Sequence, residues 1–373
     1  MQKEVENLKQ QLGLRDKQLA TALQQVTDKD SEIQLLQNKL SDMTAATLQL
    51  KAQLRDIEEK EQALKLKIQQ EAEDIKVAGM ITFWKVHLHR DYSKVGDKPV
   101  SRFGSEGVGD GQFQYPSSVV CNSRGEIIVA DFDNHRIQVF DRDGKFLFKF
   151  GLKGNGNGQF DRPSGVIVDQ RNNQIVVADT YNHRIQIFDE KSTFLQVFGS
   201  KGTDNGQFNA PRGVVVDQQG NYVVADSGNN RIQIFNSQGQ FVRKFGSNGA
   251  GNGQLQSPFG VGLLSNGNIV VAEKSGNRLQ IFDFTGNFVR IVGAGQVLNP
   301  YQLFVDSDDN ILVADHSNSR VQVFHQNGNH IQSIRGQSSG TSEIFGPEGV
   351  CMDGEGRIIV TECGQGGQRV SIF

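Results

Sequence analysis

Cysteine is scarce. Cys121, Cys351 and Cys363 are the only three in 373 residues. That is too few for a disulfide framework, and none stands in a C-x₂-C pair of the kind zinc sites use. Proline occurs seven times and tryptophan once, as Trp84. Apolar runs extend only a few residues, so no transmembrane helix is expected. The first dozen residues alternate charged and apolar types without an apolar core, so no secretory signal is expected either. Neither sign of charge dominates: 39 Lys and Arg face 42 Asp and Glu, a net charge of −3. That balance argues against a protein built mainly to hold phosphates. The expectation is a cytoplasmic protein with neither membrane nor DNA as partner, long enough for two or three structural units.

Glycine is plentiful but uneven. There are 42 in all, and Gly13 is the only one ahead of Gly79. So sharp a shift marks two architectures, read here as a segment 1–76, a linker 77–99 and a segment 100–373.

The first segment carries a heptad frame. With Val5 at position a, the a positions run Leu12, Leu19, Val26, Ile33, Leu40, Thr47, Leu54, Glu61, Ile68 and Ile75. The d positions run Leu8, Arg15, Ala22, Lys29, Leu36, Met43, Leu50, Ile57, Leu64 and Glu71. Only Arg15, Lys29, Thr47, Glu61 and Glu71 interrupt an otherwise apolar seam, and no proline breaks it. A seam held over ten heptads needs a partner helix to cover it. The expectation is therefore a long coiled coil, on the order of 105 Å at 1.5 Å per residue. β-branched residues at several a positions and Leu at many d positions favour a parallel homodimer through residues 1–76. The linker is apolar over Met80–Leu88, and His87 and His89 within it lack a third metal-ligand partner.

The third segment is one pattern written six times, about 47 residues apart. A proline recurs at Pro116, Pro163, Pro211, Pro258, Pro300 and Pro347. An acid and an arginine follow each: Asp131/Arg136, Asp179/Arg184, Asp226/Arg231, Glu273/Arg278, Asp315/Arg320 and Glu362/Arg369. Each copy reads as four short strands; in the second these are Gly165–Asp169, Gln174–Asp179, Arg184–Phe188 and Phe194–Phe198. Their Val, Ile and Phe are bounded by turn residues such as Asp143-Gly144 and Gln238-Gly239. Four antiparallel strands per copy predict an all-β six-bladed β-propeller. The sixth copy ends after its third strand. The missing strand stands ahead of the first copy, as Val100-Ser101-Arg102-Phe103-Gly104. Closing the ring with that strand leaves no open sheet edge.

The runs Asn134-His135-Arg136-Ile137-Gln138-Val139-Phe140 and Asn182-His183-Arg184-Ile185-Gln186-Ile187-Phe188 resemble the NHL repeat. Later copies keep the frame but drift, as in Asn229-Asn230-Arg231 and Gly276-Asn277-Arg278. A coiled coil followed by six such repeats is similar to the corresponding part of TRIM-NHL proteins. The resemblance implies a propeller that binds protein or RNA, with ubiquitin ligase activity supplied by an N-terminal RING finger. No RING or B-box cysteines precede the coil here, and no filamin-type domain separates coil from propeller. Ligase activity is accordingly not expected of these residues; a substrate-receptor role in a ubiquitin pathway follows from family analogy alone.

An active site needs one special copy, and the acid/Arg pairs occur in every copy, so they read as structural ion pairs. Gln138, Gln186, Gln233, Gln280 and Gln322 recur in the same way. His135 and His183 belong to the repeat signature, and His316, His325 and His330 lie in the fifth copy without matching ligands around the ring. No metal, cofactor or catalytic residue is therefore expected, although a metal-dependent propeller enzyme stays open as an alternative. Cys121 and Cys351 read as small buried hydrophobes.

Binding is the remaining role. The second-to-third-strand loops and the long inter-blade loops emerge on one face, where the residues vary between copies. Tyr115, Phe132, Arg162, Tyr181, Arg212, Phe259, Lys274, Tyr301 and His316 stand there, and Glu348 follows the sixth proline. Aromatic residues and arginine are enriched at interface hot spots. Residues 99–373 hold 23 basic and 26 acidic residues, a balance that disfavours phosphate-driven RNA binding. The face is therefore expected to take a protein or peptide ligand, with RNA as the alternative.

Overall fold

The computed structural model describes residues 4–25, scattered helical positions up to 55, and residues 91–373 except 97, 335–343, 365 and 366. It divides into two compact units, 1–86 and 87–373.

Residues 4–25 form a continuous helix. Val5, Leu8, Leu12 and Leu19, all on the heptad seam, are 51–73% exposed in the single chain. Among the described residues this is the one continuous N-terminal helix, and a long coiled coil is not shown; most of the remaining heptad frame, and the linker stretch Met80–Leu88, fall outside the described residues. Among the described residues no helix is long and apolar enough to cross a membrane.

The second unit is a six-bladed all-β propeller. Each blade is a four-stranded antiparallel sheet, in sequence order in blades one to five. In blade two the strands are Pro163–Asp169, Gln174–Asp179, Arg184–Phe188 and Phe194–Phe198. The first strand starts two residues earlier than its Val/Ile run suggests, because Pro163 already pairs with Asp179 ahead of a bulge. The sixth blade is made of Pro347–Met352, Ile358–Glu362, Arg369–Ile372 and, as its outer strand, Ser101–Phe103. Arg102 sits opposite Ser371, and the Val100 amide donates to the Ile372 carbonyl at 2.7 Å. The end of the linker joins this unit. Tyr92 is buried, and its hydroxyl donates to Asp306 at 2.5 Å.

The first strands lie innermost, each against the first strand of the next blade. Contact there is close enough that a Cβ on Gly165 would lie 2.2 Å from the Arg212 carbonyl oxygen. At the seam of blades six and one, Cys121 and Cys351 are buried with their sulfurs 3.8 Å apart. Between blades the inter-blade loop inserts one apolar wedge: Phe113, Phe160, Phe208, Leu255, Val297 or Ile344, all buried. Phe160 packs against Phe150 and Phe188, with centroids 6.1 and 5.6 Å away. The residue after Phe150 must be glycine. Gly151 has φ +90°, and a Cβ there would lie 2.3 Å from the Phe160 ring.

The acid/Arg pairs hold this architecture. Asp179 is fully buried, and its Oδ2 accepts from Arg184 Nε at 2.7 Å, Asn182 Nδ2 at 2.9 Å and Gln186 Nε2 at 3.0 Å. Burial raises the Asp179 pKa, and the donors from Asn182 and Arg184 pull it back. The clamp reaches further than the turn between second and third strands. Arg184 also donates to the carbonyls of Asn155, Gly156 and Gln159, and Gln186 accepts the Gly158 amide. The repeated ion pair therefore pins the inter-blade loop, and with it the wedge phenylalanine.

Candidate ligand-binding site

Two positions in each repeat decide what stands around the inner strands on the long-loop face. After the proline come Ser117, Ser164, Arg212, Phe259, Tyr301 and Glu348; after the acid come Phe132, Thr180, Ser227, Lys274, His316 and Cys363. The proline of each blade pairs across the sheet with its acid, as Pro116 with Asp131 and Pro347 with Glu362, so both positions reach the same end of the blade.

Five of the six blades contribute to a linked set of side chains that contains all nine expected residues. Tyr115 packs on Phe132 with centroids 5.7 Å apart, and Phe132 meets Tyr181 at 6.2 Å. Arg162 lies over Phe132 and Tyr181, and its Nε donates to Asp133 at 2.8 Å. Arg212 is held between Phe132 of blade one and Phe259 of blade four, 5.2 and 5.1 Å from their centroids. Phe259 meets Tyr301 at 4.5 Å, Lys274 lies 4.6 Å over Tyr301, and His316 stacks on Tyr301 at 4.5 Å.

One feature differs from the sequence-based expectation. Phe132, Phe259 and Tyr301 are at most 8% exposed. They cover one another across blades, so they are walls that hold the cations and not free anchors. Among the described residues the side chains of Arg212 and Lys274 make no hydrogen bond or ion pair; each is held over aromatic faces. Burial lowers the Arg212 pKa, while neighbouring Tyr181 and Glu348 raise it. Arginine remains charged under such shifts.

The sixth blade adds what the sequence reading overlooked. Glu348 is fully buried, and burial pushes its carboxyl up to about 8, against the pull of Tyr115, Cys363, Lys274 and Arg212. Cys363 donates its S–H to Glu348 Oε1 at 3.4 Å, and His316 Nε2 lies 3.4 Å from the same oxygen. His316 thus has ligand-type neighbours after all. They come from the next blade, at positions that the repeat alignment places far from it in sequence. Aligning the copies on the two positions after proline and acid would have exposed the trio. This Cys–His arrangement is not that of a nucleophile: burial and the Glu348 charge raise the Cys363 pKa, away from the thiolate that attack requires. Burial raises the Tyr115 hydroxyl as well, with Glu348 adding to it.

Comparisons agree with this architecture. Residues 110–199 match a family profile described as a 6-bladed beta-propeller, and residues 208–235 and 303–324 match the NHL repeat. The second unit is thus a six-bladed propeller that carries matches to the NHL repeat, and short stretches of the chain are similar to three larger proteins. It is 40% identical over 74 residues to Protein lin-41 of Caenorhabditis elegans, covering 20% of this chain and 6% of that protein. It is 54% identical over 48 residues to Protein brain tumor of Drosophila melanogaster, 13% of this chain and 5% of that one. With E3 ubiquitin-protein ligase TRIM71 of Rattus norvegicus the figures are 48% over 60 residues, 16% and 7%. The matched stretches thus span under a tenth of these relatives. Among solved structures, a virginiamycin B lyase from Staphylococcus aureus superposes with TM-score 0.51 at 13% identity, covering 69% of this chain and 94% of that one. A streptogramin B lyase superposes with TM-score 0.51 at 12% identity, covering 73% and 97%. At that identity the likeness is one of fold.

Proposed function

We propose that this protein is a non-catalytic adaptor whose propeller binds a protein or peptide through the cation–aromatic set, and whose helical segment pairs two such propellers. The observation that carries this reading is Arg212. It is a guanidinium held between Phe132 and Phe259 without a carboxylate partner. A desolvated cation in a fixed orientation favours an anionic group on the ligand, such as a peptide carboxylate or an acidic side chain. Lys274 offers a second charge on the neighbouring blade, and the aromatic walls supply contact area with little rotamer entropy to lose.

Dimerisation through residues 1–76 belongs to the same reading. The seam residues Val5, Leu8, Leu12 and Leu19 are exposed in the isolated chain, and a second copy would cover them. Two propellers on one coil would combine modest contacts through effective concentration. Service as substrate receptor to a partner ubiquitin ligase is the extension suggested by relatives, one of which is named an E3 ubiquitin-protein ligase.

RNA is the second reading, and the same two cations favour it, since Arg212 and Lys274 beside aromatic rings suit a few splayed nucleotides. Affinity purification of the full chain with RNase treatment separates the two. Partners that survive RNase and weaken little with salt support the protein reading. Binding lost to RNase and falling steeply with salt supports RNA.

A further inference from the structure

We propose that His316, Glu348 and Cys363 form a binding site for a zinc-class divalent cation at the junction of blades five and six. The three residues bring one nitrogen, one oxygen and one sulfur ligand atom within 4.8 Å of one another. In a tetrahedral zinc site, bonds of about 2.0–2.1 Å to N and O and about 2.3 Å to S put ligand atoms roughly 3.3–3.6 Å apart. Two of the three edges are already there: His316 Nε2 to Glu348 Oε1 is 3.4 Å, and Cys363 Sγ to Glu348 Oε1 is 3.4 Å. The third edge, between Nε2 and Sγ, is no longer than 4.8 Å.

A second observation points to a ligand. Glu348 Oε2 is buried without a hydrogen-bond partner, and so is His316 Nδ1. Buried polar atoms are ordinarily satisfied, and among the described residues the fully buried Glu348 carboxyl has only the Tyr115 hydroxyl and the Cys363 thiol as hydrogen-bonding neighbours, so the cluster is poorly satisfied for its burial. The imidazole is oriented in advance, because its ring stacks on Tyr301 at 4.5 Å with planes 23° apart.

The trio is also singular. The same three positions at the other junctions read Phe132, Ser164 and Thr180; Thr180, Arg212 and Ser227; Ser227, Phe259 and Lys274; Lys274, Tyr301 and His316; and Cys363, Ser117 and Phe132. One junction of six carries three ligand-type residues, unlike the acid/Arg pairs that every blade repeats.

The donor set selects the metal. A thiolate with imidazole and one carboxylate suits zinc and disfavours calcium and magnesium, which take oxygen ligands. With the Cys363 thiol and the Glu348 carboxyl ionised, a divalent cation leaves the cluster electrically neutral beside Arg212 and Lys274. No oxidation or reduction is involved. The cation would join the post-acid turn of blade five to blade six, and the fourth position would adjoin Tyr115, which neighbours Glu348 and Cys363. This inference stands apart from the choice of protein or RNA ligand.

The test uses the reduced full chain, loaded with zinc or cobalt and freed of excess metal by gel filtration. Expected are one zinc per chain by elemental assay, a thiolate-to-cobalt charge-transfer band in the near ultraviolet, and a higher unfolding temperature with zinc than without. Cys363→Ser and His316→Ala each abolish the band and the temperature shift, whereas Cys121→Ser and Cys351→Ser keep both. His316 is the safer variant for folding, because its side chain is 26% exposed. The proposal is overturned if the chain retains no stoichiometric zinc, or if band and shift persist in His316→Ala and Cys363→Ser.

Discussion

The Nδ1 atom of His135 in blade one accepts the backbone N–H of Arg162 in blade two, at 3.1 Å. The contact recurs. His183 accepts from the Ala210 amide, Asn230 from Ser257 and Asn277 from Asn299, at 2.8–3.0 Å. Each donor precedes the inner-strand proline and sits at positive φ, between 49° and 55° for these four. The histidine of the repeat signature is therefore a latch that fixes the left-handed entry to the next blade, and asparagine replaces it where the signature drifts.

Substitution at the latch follows. His135→Asn keeps an acceptor and leaves stability nearly unchanged, while His135→Ala removes the exposed bond to the Arg162 amide and costs about 0.5–1.5 kcal/mol. Chemical denaturation of the two variants checks this.

The latch also sets a pH dependence. Burial lowers the His135 and His183 pKa below the ordinary 6.5; near His135, Asp161 and Asp133 oppose the shift and Lys153 and Arg162 reinforce it. A depressed folded pKa means the unfolded chain binds more protons. The contribution is therefore full above about pH 6.5 and is lost as pH falls through the folded value. Thermal unfolding of wild type against the His135→Asn/His183→Asn variant should show a smaller loss between pH 7 and pH 5 in the variant. An equal loss in both would count against the latch.

The sheet architecture was legible because its signals are local. Val/Ile/Phe runs end at Gly, Asn and Asp, and the absent fourth strand of the last copy pointed to Ser101–Phe103. The site was legible as a face but not as an arrangement. Arg212 touches Phe132 across two blades, a contact set by the radius of the ring and by nothing within either repeat. The meeting of His316 with Glu348 and Cys363 escaped because it joins neighbouring blades at positions distant in sequence. The reach of Arg184 into the loop 155–159 escaped too, since its carbonyl partners carry no side-chain signature.

Breaking one clamp should be costly. Arg184→Ala leaves the buried Asp179 without its cation and releases the loop carrying Phe160, a loss of about 3–5 kcal/mol. A decrease under 1 kcal/mol in urea unfolding would show that Asn182 and Gln186 suffice.

Sedimentation of the full chain at micromolar concentration should give a dimer, and Leu12→Asp/Leu19→Asp should shift it to monomer. Wild type sedimenting as a monomer would remove the paired-propeller part of the account.

The central claim is that the cation–aromatic set receives the ligand. It is tested most directly by RNase-treated affinity capture with wild type, Arg212→Ala/Lys274→Ala and Arg243→Ala, the last a cation over Phe284 outside the set. The account predicts partners recovered with wild type and Arg243→Ala and reduced at least tenfold with the double variant, all three melting as folded propellers. Equal recovery by all three would contradict it.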